Sequence, residues 1–165
     1  MKVFLQFLLV SILLTPSVFP QGYKLVWSDE FNDSTLDLSK WSFEIGNNHG
    51  YNNEMEYYTS RTQNCSEQNG LLTITALKES YSGFNYTSAR INTQNKFSFK
   101  YGKIEARIKL PYGQGIWPAF WMLGDNINQV SWPGCGEIDI MEMIGGQGRE
   151  NTVYGSAHWG GDYSK

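Results

Sequence analysis

Three carboxylates fall within the short segment Gly136-Glu137-Ile138-Asp139-Ile140-Met141-Glu142. Glu137 and Asp139 are two residues apart, so in a strand both project from one face, leaving Ile138 and Ile140 to point toward a core. Glu142 follows Glu137 at an odd spacing, which in a regular strand would turn it to the core side. One extra residue, inserted as a β-bulge near Ile140-Met141, returns Glu142 to the face of the other two acids. Like charges this close disfavour each other's ionisation, which is a way to keep one carboxyl protonated near neutral pH while another stays ionised. Such a pair serves glycoside hydrolysis. The same acids also suit a solvated strand face or a divalent-cation site. Trp117, Trp121, Trp132 and Trp159 lie near them in the chain. An indole offers a flat apolar face for a sugar ring and an N–H at its edge, although core packing is the ordinary use of each.

These residues need a scaffold, and the composition bounds it. The chain has 165 residues, 41% hydrophobic, 15% aromatic and 18% charged, with 13 Lys and Arg against 16 Asp and Glu. That length fits one domain. So many aromatics and so few charges exclude a disordered chain, and the net charge of −3 without a basic cluster argues against a nucleic-acid partner. Two cysteines, Cys65 and Cys135, exclude a disulfide-dense scaffold and a four-cysteine zinc site. They are open to pairing or to remaining two thiols.

Residues 1–22 read as a secretory signal peptide. Met1-Lys2 gives a positive start, and Val3 to Leu14 is apolar except for Gln6 and Ser11. Thr15-Pro16-Ser17 breaks the run, and cleavage is expected between Ser17 and Gly22. The run is too short to span a bilayer, and no other stretch is suited to do so. The expectation is a secreted product with no membrane attachment after cleavage. Asn32-Asp33-Ser34, Asn64-Cys65-Ser66 and Asn85-Tyr86-Thr87 are N-glycosylation acceptors if the source is eukaryotic.

Residues 23–165 read as strands and turns. Lys103 to Leu110 alternates apolar and charged residues without error, the period of a half-buried antiparallel strand. Leu71 to Leu77 is a second candidate, entered through the turn Asn69-Gly70. Residues 88–93, 116–122, 137–143 and 152–159 are further ones, and Pro111 to Gly115 is a turn cluster. No window shows a helical stripe. Short strands with Gly-rich turns predict an all-β sandwich or barrel.

The acid segment is preceded by Gly115-Ile116-Trp117-Pro118-Ala119-Phe120-Trp121-Met122-Leu123-Gly124. Together they resemble glycoside hydrolase family 16, and within it the laminarinase-like endo-β-1,3-glucanases. Leu25 to Phe31, Asn52 to Thr59, Ser88 to Ile91 and Tyr101 to Arg107 carry the likeness from about residue 23 to the end.

The resemblance implies an antiparallel β-sandwich of jelly-roll type with a concave carbohydrate-binding cleft. It implies a retaining mechanism with Glu137 as nucleophile, Glu142 as general acid/base and Asp139 assisting by hydrogen bonding and charge. Trp117, Trp121 and Trp132 are then sugar-stacking aromatics, Asn53 and Arg90 hydrogen-bond the substrate, and His158 stands close to the acids. No cofactor is required for catalysis. A structural calcium at Glu30 and the Gly70 carbonyl is a further expectation, as is a monomer acting on β-1,3- or mixed-linkage glucan. Family domains run past the strand holding His158, so the sequence reads as a catalytic domain incomplete at its C-terminus. Two alternatives remain: a non-catalytic β-glucan-binding recognition protein, or a relative acting on another polysaccharide.

Overall fold

The computed structural model describes residues 22–47, 52–149 and 151–161. The expected signal peptide lies outside these residues but for Gly22. No helix among them is long and apolar enough to cross a membrane.

The described chain first forms β1 (Ser42–Glu44) and β2 (Glu56–Tyr58), then β3 (Cys65–Gln68) and β4 (Leu71–Ile74). β5 (Leu77–Tyr81), β6 (Phe84–Ser88) and β7 (Arg90–Asn92) follow. After a long irregular stretch come β8 (Ala119–Leu123), the single helical turn α1 (Ile127–Val130), β9 (Glu137–Glu142) and β10 (Tyr154–His158). β8, β9 and β10 make an antiparallel sheet with β9 in the centre. β6 lies between β2 and β5, β1 pairs with β7, and β3 with β4. The pairing is antiparallel except for β2 with β6, which run parallel. The chain returns between those two strands by way of the β3–β4 hairpin, and parallel pairing requires such a crossover.

Local chemistry explains where the strands stop. Asn69 and Gly70 take φ of 54° and 75°, the left-handed pair that a two-residue hairpin turn demands, and they join Gln68 to Leu71 as expected. The strand expected over 71–77 breaks in two. At Thr75 the pairing passes from backbone to side chain: Thr75 N still donates to the Asn64 carbonyl at 2.8 Å, but the Thr75 carbonyl accepts from Asn64 Nδ2 at 3.1 Å. The strand expected over 88–93 is likewise divided at buried Ala89 between β6 and β7. β8 begins at Ala119, just after Pro118, which has no N–H to offer a ladder.

The clearest departure is Lys103 to Leu110. Its alternation is intact, yet it pairs with no strand among the described residues, and Ile104 and Ile108 are exposed. Alternation says which side chains share a face; a ladder also needs a neighbour. Ile138, expected in a core, is 52% exposed although β9 is paired on both sides.

Burial concentrates instead around Tyr58, Cys65, Ala89 and Met143, and around a polar knot between β3–β4 and β2–β6–β5. Asn64, wholly buried, accepts from Thr59 Oγ1 at 2.6 Å and Arg61 Nη2 at 2.8 Å, and donates to Thr87 Oγ1 at 2.9 Å. Arg61 lies over the Tyr81 ring at 4.3 Å and pairs with Glu79. Hydrogen bonds from Arg61 and Thr87 hold the Glu79 carboxyl below the usual range. Of the three sequons, Asn64 is therefore enclosed, while Asn32 and Asn85 are exposed. Cys65 and Cys135 are free thiols; burial, with the charge of Glu67, pushes Cys65 up to about 11.

Candidate active site

The ladder register shows how β9 presents its acids. On β8, Ala119, Trp121 and Leu123 face Glu142, Asp139 and Glu137; on β10, Tyr154, Ser156 and His158 face the same three. Both outer strands advance two residues at each step. β9 advances two from Glu137 to Asp139 and three from Asp139 to Glu142. The extra residue falls between Asp139 and Met141, where the register shifts, so the bulge expected from the odd spacing is present. Residues directly opposite in a ladder share a face. Glu137, Asp139 and Glu142 therefore stand together, with Trp121 and His158 beside them.

Their partners differ. Asp139 is 4% exposed, and its Oδ2 lies 3.1 Å from His158 Nε2. A carboxylate oxygen of Glu137 lies within 4.8 Å of one of Asp139. The Glu137 carboxyl is raised above its ordinary value, first by burial and then by the hydrogen bond and charge of Asp139. The Trp132 indole and His158 oppose that rise. Glu142 instead accepts a hydrogen bond from Trp117 Nε1 at 3.0 Å. Sequence reasoning foresaw the mutual effect of clustered acids, and the structure locates it at Glu137.

The aromatic and polar residues named from the sequence divide. Trp117 and Trp132 are 46% and 48% exposed, and the Trp132 ring centre lies 5.9 Å from that of His158. Trp121 faces Asp139 and carries the Arg90 guanidinium 4.7 Å above its ring, tying β7 to the acid-bearing sheet. Arg90 Nε approaches Glu44 Oε2 at 2.8 Å but off the N–H axis, so the contact is ionic and the buried Nε has no hydrogen-bond acceptor. Asn53 is exposed in a left-handed conformation (φ 58°), and no contact among the described residues ties it to the acids. Its neighbour Glu54 lies 3.9 Å from Arg90. Trp27 and Trp41 pack with Phe97 and Phe31, the ordinary use of aromatic side chains.

Glu137, Asp139 and His158 each offer an atom within 4.8 Å of the others, a grouping that could hold a metal ion. The expected calcium position is elsewhere. A Cβ on Gly70 would lie 3.3 Å from Asn32 Oδ1 and 3.6 Å from the Glu30 carbonyl oxygen. On the same hairpin the buried Glu67 accepts from Asp33 N at 2.7 Å through Oε1, while its Oε2 has no partner. Oxygens of these kinds are what calcium takes, and the Glu30 carbonyl oxygen is the atom of that residue nearest a Cβ on Gly70.

Sequence reasoning missed Glu44, Glu54, Ser156 and Tyr154 as neighbours of the site. Glu54 stood in a segment already quoted for its resemblance. The others lie on strands whose register no local pattern reveals.

The description Glycosyl hydrolases family 16 matches residues 52–165. The clotting factor G alpha subunit of Tachypleus tridentatus is 48% identical over 139 residues, 83% of this chain and 20% of that protein. The beta-glucanase of Rhodothermus marinus is 46% identical over 140 residues, 82% of this chain and 48% of that protein. The solved laminarinase catalytic domain from Thermotoga maritima is 54% identical with a TM-score of 0.74, covering 83% of this chain and 57% of that one. The fold is thus that of a jelly-roll β-sandwich, and the chain spans about half the length, or less, of the proteins it matches.

Proposed function

The chain belongs to glycosyl hydrolases family 16, and from that premise we propose that it is the catalytic part of an exported enzyme that cleaves β-1,3-glucan with retention of configuration. The observation that carries this reading is the bulged β9, which sets Glu137, Asp139 and Glu142 on one face beside Trp121 and His158. In the first step a Glu137 oxygen attacks the anomeric carbon. Glu142 gives its proton to the departing glycosidic oxygen, and the sugar becomes esterified to Glu137. In the second step Glu142 takes a proton from water, whose oxygen displaces Glu137. Glu137 attacks as the carboxylate, and Asp139, which His158 holds from the other side, stands beside it. Half-exposed Trp117 and Trp132 offer ring faces to the substrate. The apolar run from Val3 to Leu14 supports export, and the oxygens around Gly70 support a structural calcium away from the acids.

The substrate assignment is tested by release of reducing ends by the full-length protein. Laminarin should be cut faster than lichenan, and both much faster than agarose or carrageenan. A preference for a galactan would overturn the glucanase assignment and leave the family intact.

A second reading, a glucan-recognition protein without hydrolysis, draws support from a relative named as a beta-1,3-glucan-binding protein, of Penaeus monodon, 46% identical over 78 residues, 45% of this chain and 21% of that protein. Laminarin binding with no new reducing ends would favour it. All three acids stand assembled on one face, which favours hydrolysis.

A further inference from the structure

Each glutamate of the site meets an indole N–H from a different loop: Trp132 for Glu137 and Trp117 for Glu142. The Trp117 contact is held by the backbone on both sides. Ile116 accepts from Gly145 N at 2.7 Å, Pro118 accepts from Met143 N at 3.1 Å, and Gly115 N donates to the Gly145 carbonyl at 3.3 Å. These bonds extend the pairing of β8 with β9 past Ala119 and Glu142. At Gly145 the two segments pass close together: a Cβ there would lie 2.2 Å from the Gly113 carbonyl oxygen and 3.2 Å from that of Ile116. Pro118 further confines Trp117 to extended backbone. A ring used only as a stacking platform has no need of an N–H directed at a carboxylate, nor of a clamp that aims it.

We infer that Trp117 is a positioning residue for Glu142: its indole N–H holds Oε1 so that Oε2 is the oxygen that trades the proton with the glycosidic oxygen and then with water. This rests on the acid/base role given to Glu142 above. The N–H stays on the indole throughout. When the Oε2–H bond breaks and its proton moves to the departing oxygen, Glu142 gains a full negative charge, and the hydrogen bond becomes charge-assisted. The contact is thus stronger after proton transfer than before it, the condition for lowering the barrier rather than merely tightening binding.

The test is Trp117→Phe in the full-length protein, which keeps a flat ring and removes the donor. On laminarin, kcat should fall by about 10-fold or more, the size of one hydrogen bond to a charged group, with KM changed by less than about 2-fold because a ring face remains. An unchanged kcat with a raised KM would overturn the inference and leave Trp117 as a platform only. A second measurement needs neither activity nor a folded Trp117 variant. The Trp117 indole resonance in the proton–nitrogen spectrum should move upfield in Glu142→Ala; a resonance that stays put would overturn the inference. If the wild-type protein cuts no laminarin, the hydrolase reading fails, while the indole resonance still decides whether the bond exists.

Discussion

Two clusters of carboxylates and polar groups in this chain obey opposite rules. In the knot around Asn64, every group meets its complement: Glu79 has Arg61, Asn64 has donors and acceptors on both ends of its amide, and Thr87 bridges them. On β9 like meets like, with Glu137 against Asp139 and Glu142 on the same face. The consequence is visible in the acids themselves. Glu79 is held below the usual range by its partners, and Glu137 is raised by burial and by its neighbour. Complementary pairing stabilises a fold; crowding of one charge makes a group ready to change protonation during a reaction. One region spends its polar groups on structure and the other on reactivity.

The widest separation between the regions should appear in activity. Glu142→Ala should lose about 10²–10⁴-fold in laminarin hydrolysis, as loss of a general acid/base does, and Glu137→Ala should lose more. Azide then distinguishes their roles on an aryl glucoside with a good leaving group. Glu142→Ala should yield the β-glycosyl azide and Glu137→Ala the α-azide, read by proton NMR; the reverse pattern would exchange the two assignments. Asn64→Ala, by contrast, should leave kcat per folded molecule intact and cost about 1–3 kcal/mol in urea denaturation, since it strands buried partners. A variant as stable as wild type would mean the knot is not the support described here.

A smaller effect is expected from Trp132→Phe. The indole favours ionised Glu137, so its loss should move the acid limb of kcat/KM to higher pH. An unmoved limb would detach Trp132 from Glu137.

The smallest effect is in stability against pH, and there the two regions should have opposite signs. Glu137 binds its proton more tightly folded than unfolded. Its contribution is present at low pH and declines as pH rises from about the ordinary 4.5 through its raised folded value. Glu79 is the mirror case: its contribution is present above about 4.5 and lost as pH falls through its lowered folded value. Melting curves of Glu137→Gln should therefore gain on wild type as pH rises from 4.5 to 7, while Glu79→Gln should gain on it as pH falls below 4.5. Parallel shifts in both variants would erase the contrast.

The sequence disclosed the grouping of the three acids better than the sheets around them. Glu137, Asp139 and Glu142 announced a bulge because period two is strict, and an odd spacing among like residues needs a reason. Asn69-Gly70 announced its turn because few residue pairs take two left-handed conformations. Lys103 to Leu110 misled because its alternation is a property of one strand, whereas pairing belongs to two. β1, β2 and β3 escaped notice because three or four half-buried residues hold too little of a period to read. The Trp117 bond to Glu142 was out of reach of any local pattern, since it joins a loop to a bulged strand through a backbone clamp.

The bulge has a consequence for how such a strand can change by insertion and deletion. β8 and β10 are regular beside it, and they measure the distance from Asp139 to Glu142 as two residues, about 7 Å of strand. The residue count on β9 is one more than that distance requires. A deletion of Ile140 would therefore straighten β9 and leave all three acids facing the same way. A single insertion within β8 between Ala119 and Trp121 would disturb the frame against which the acids are aligned. The ruler for the spacing of the acids lies in the flanking strands, and the strand that carries them has slack.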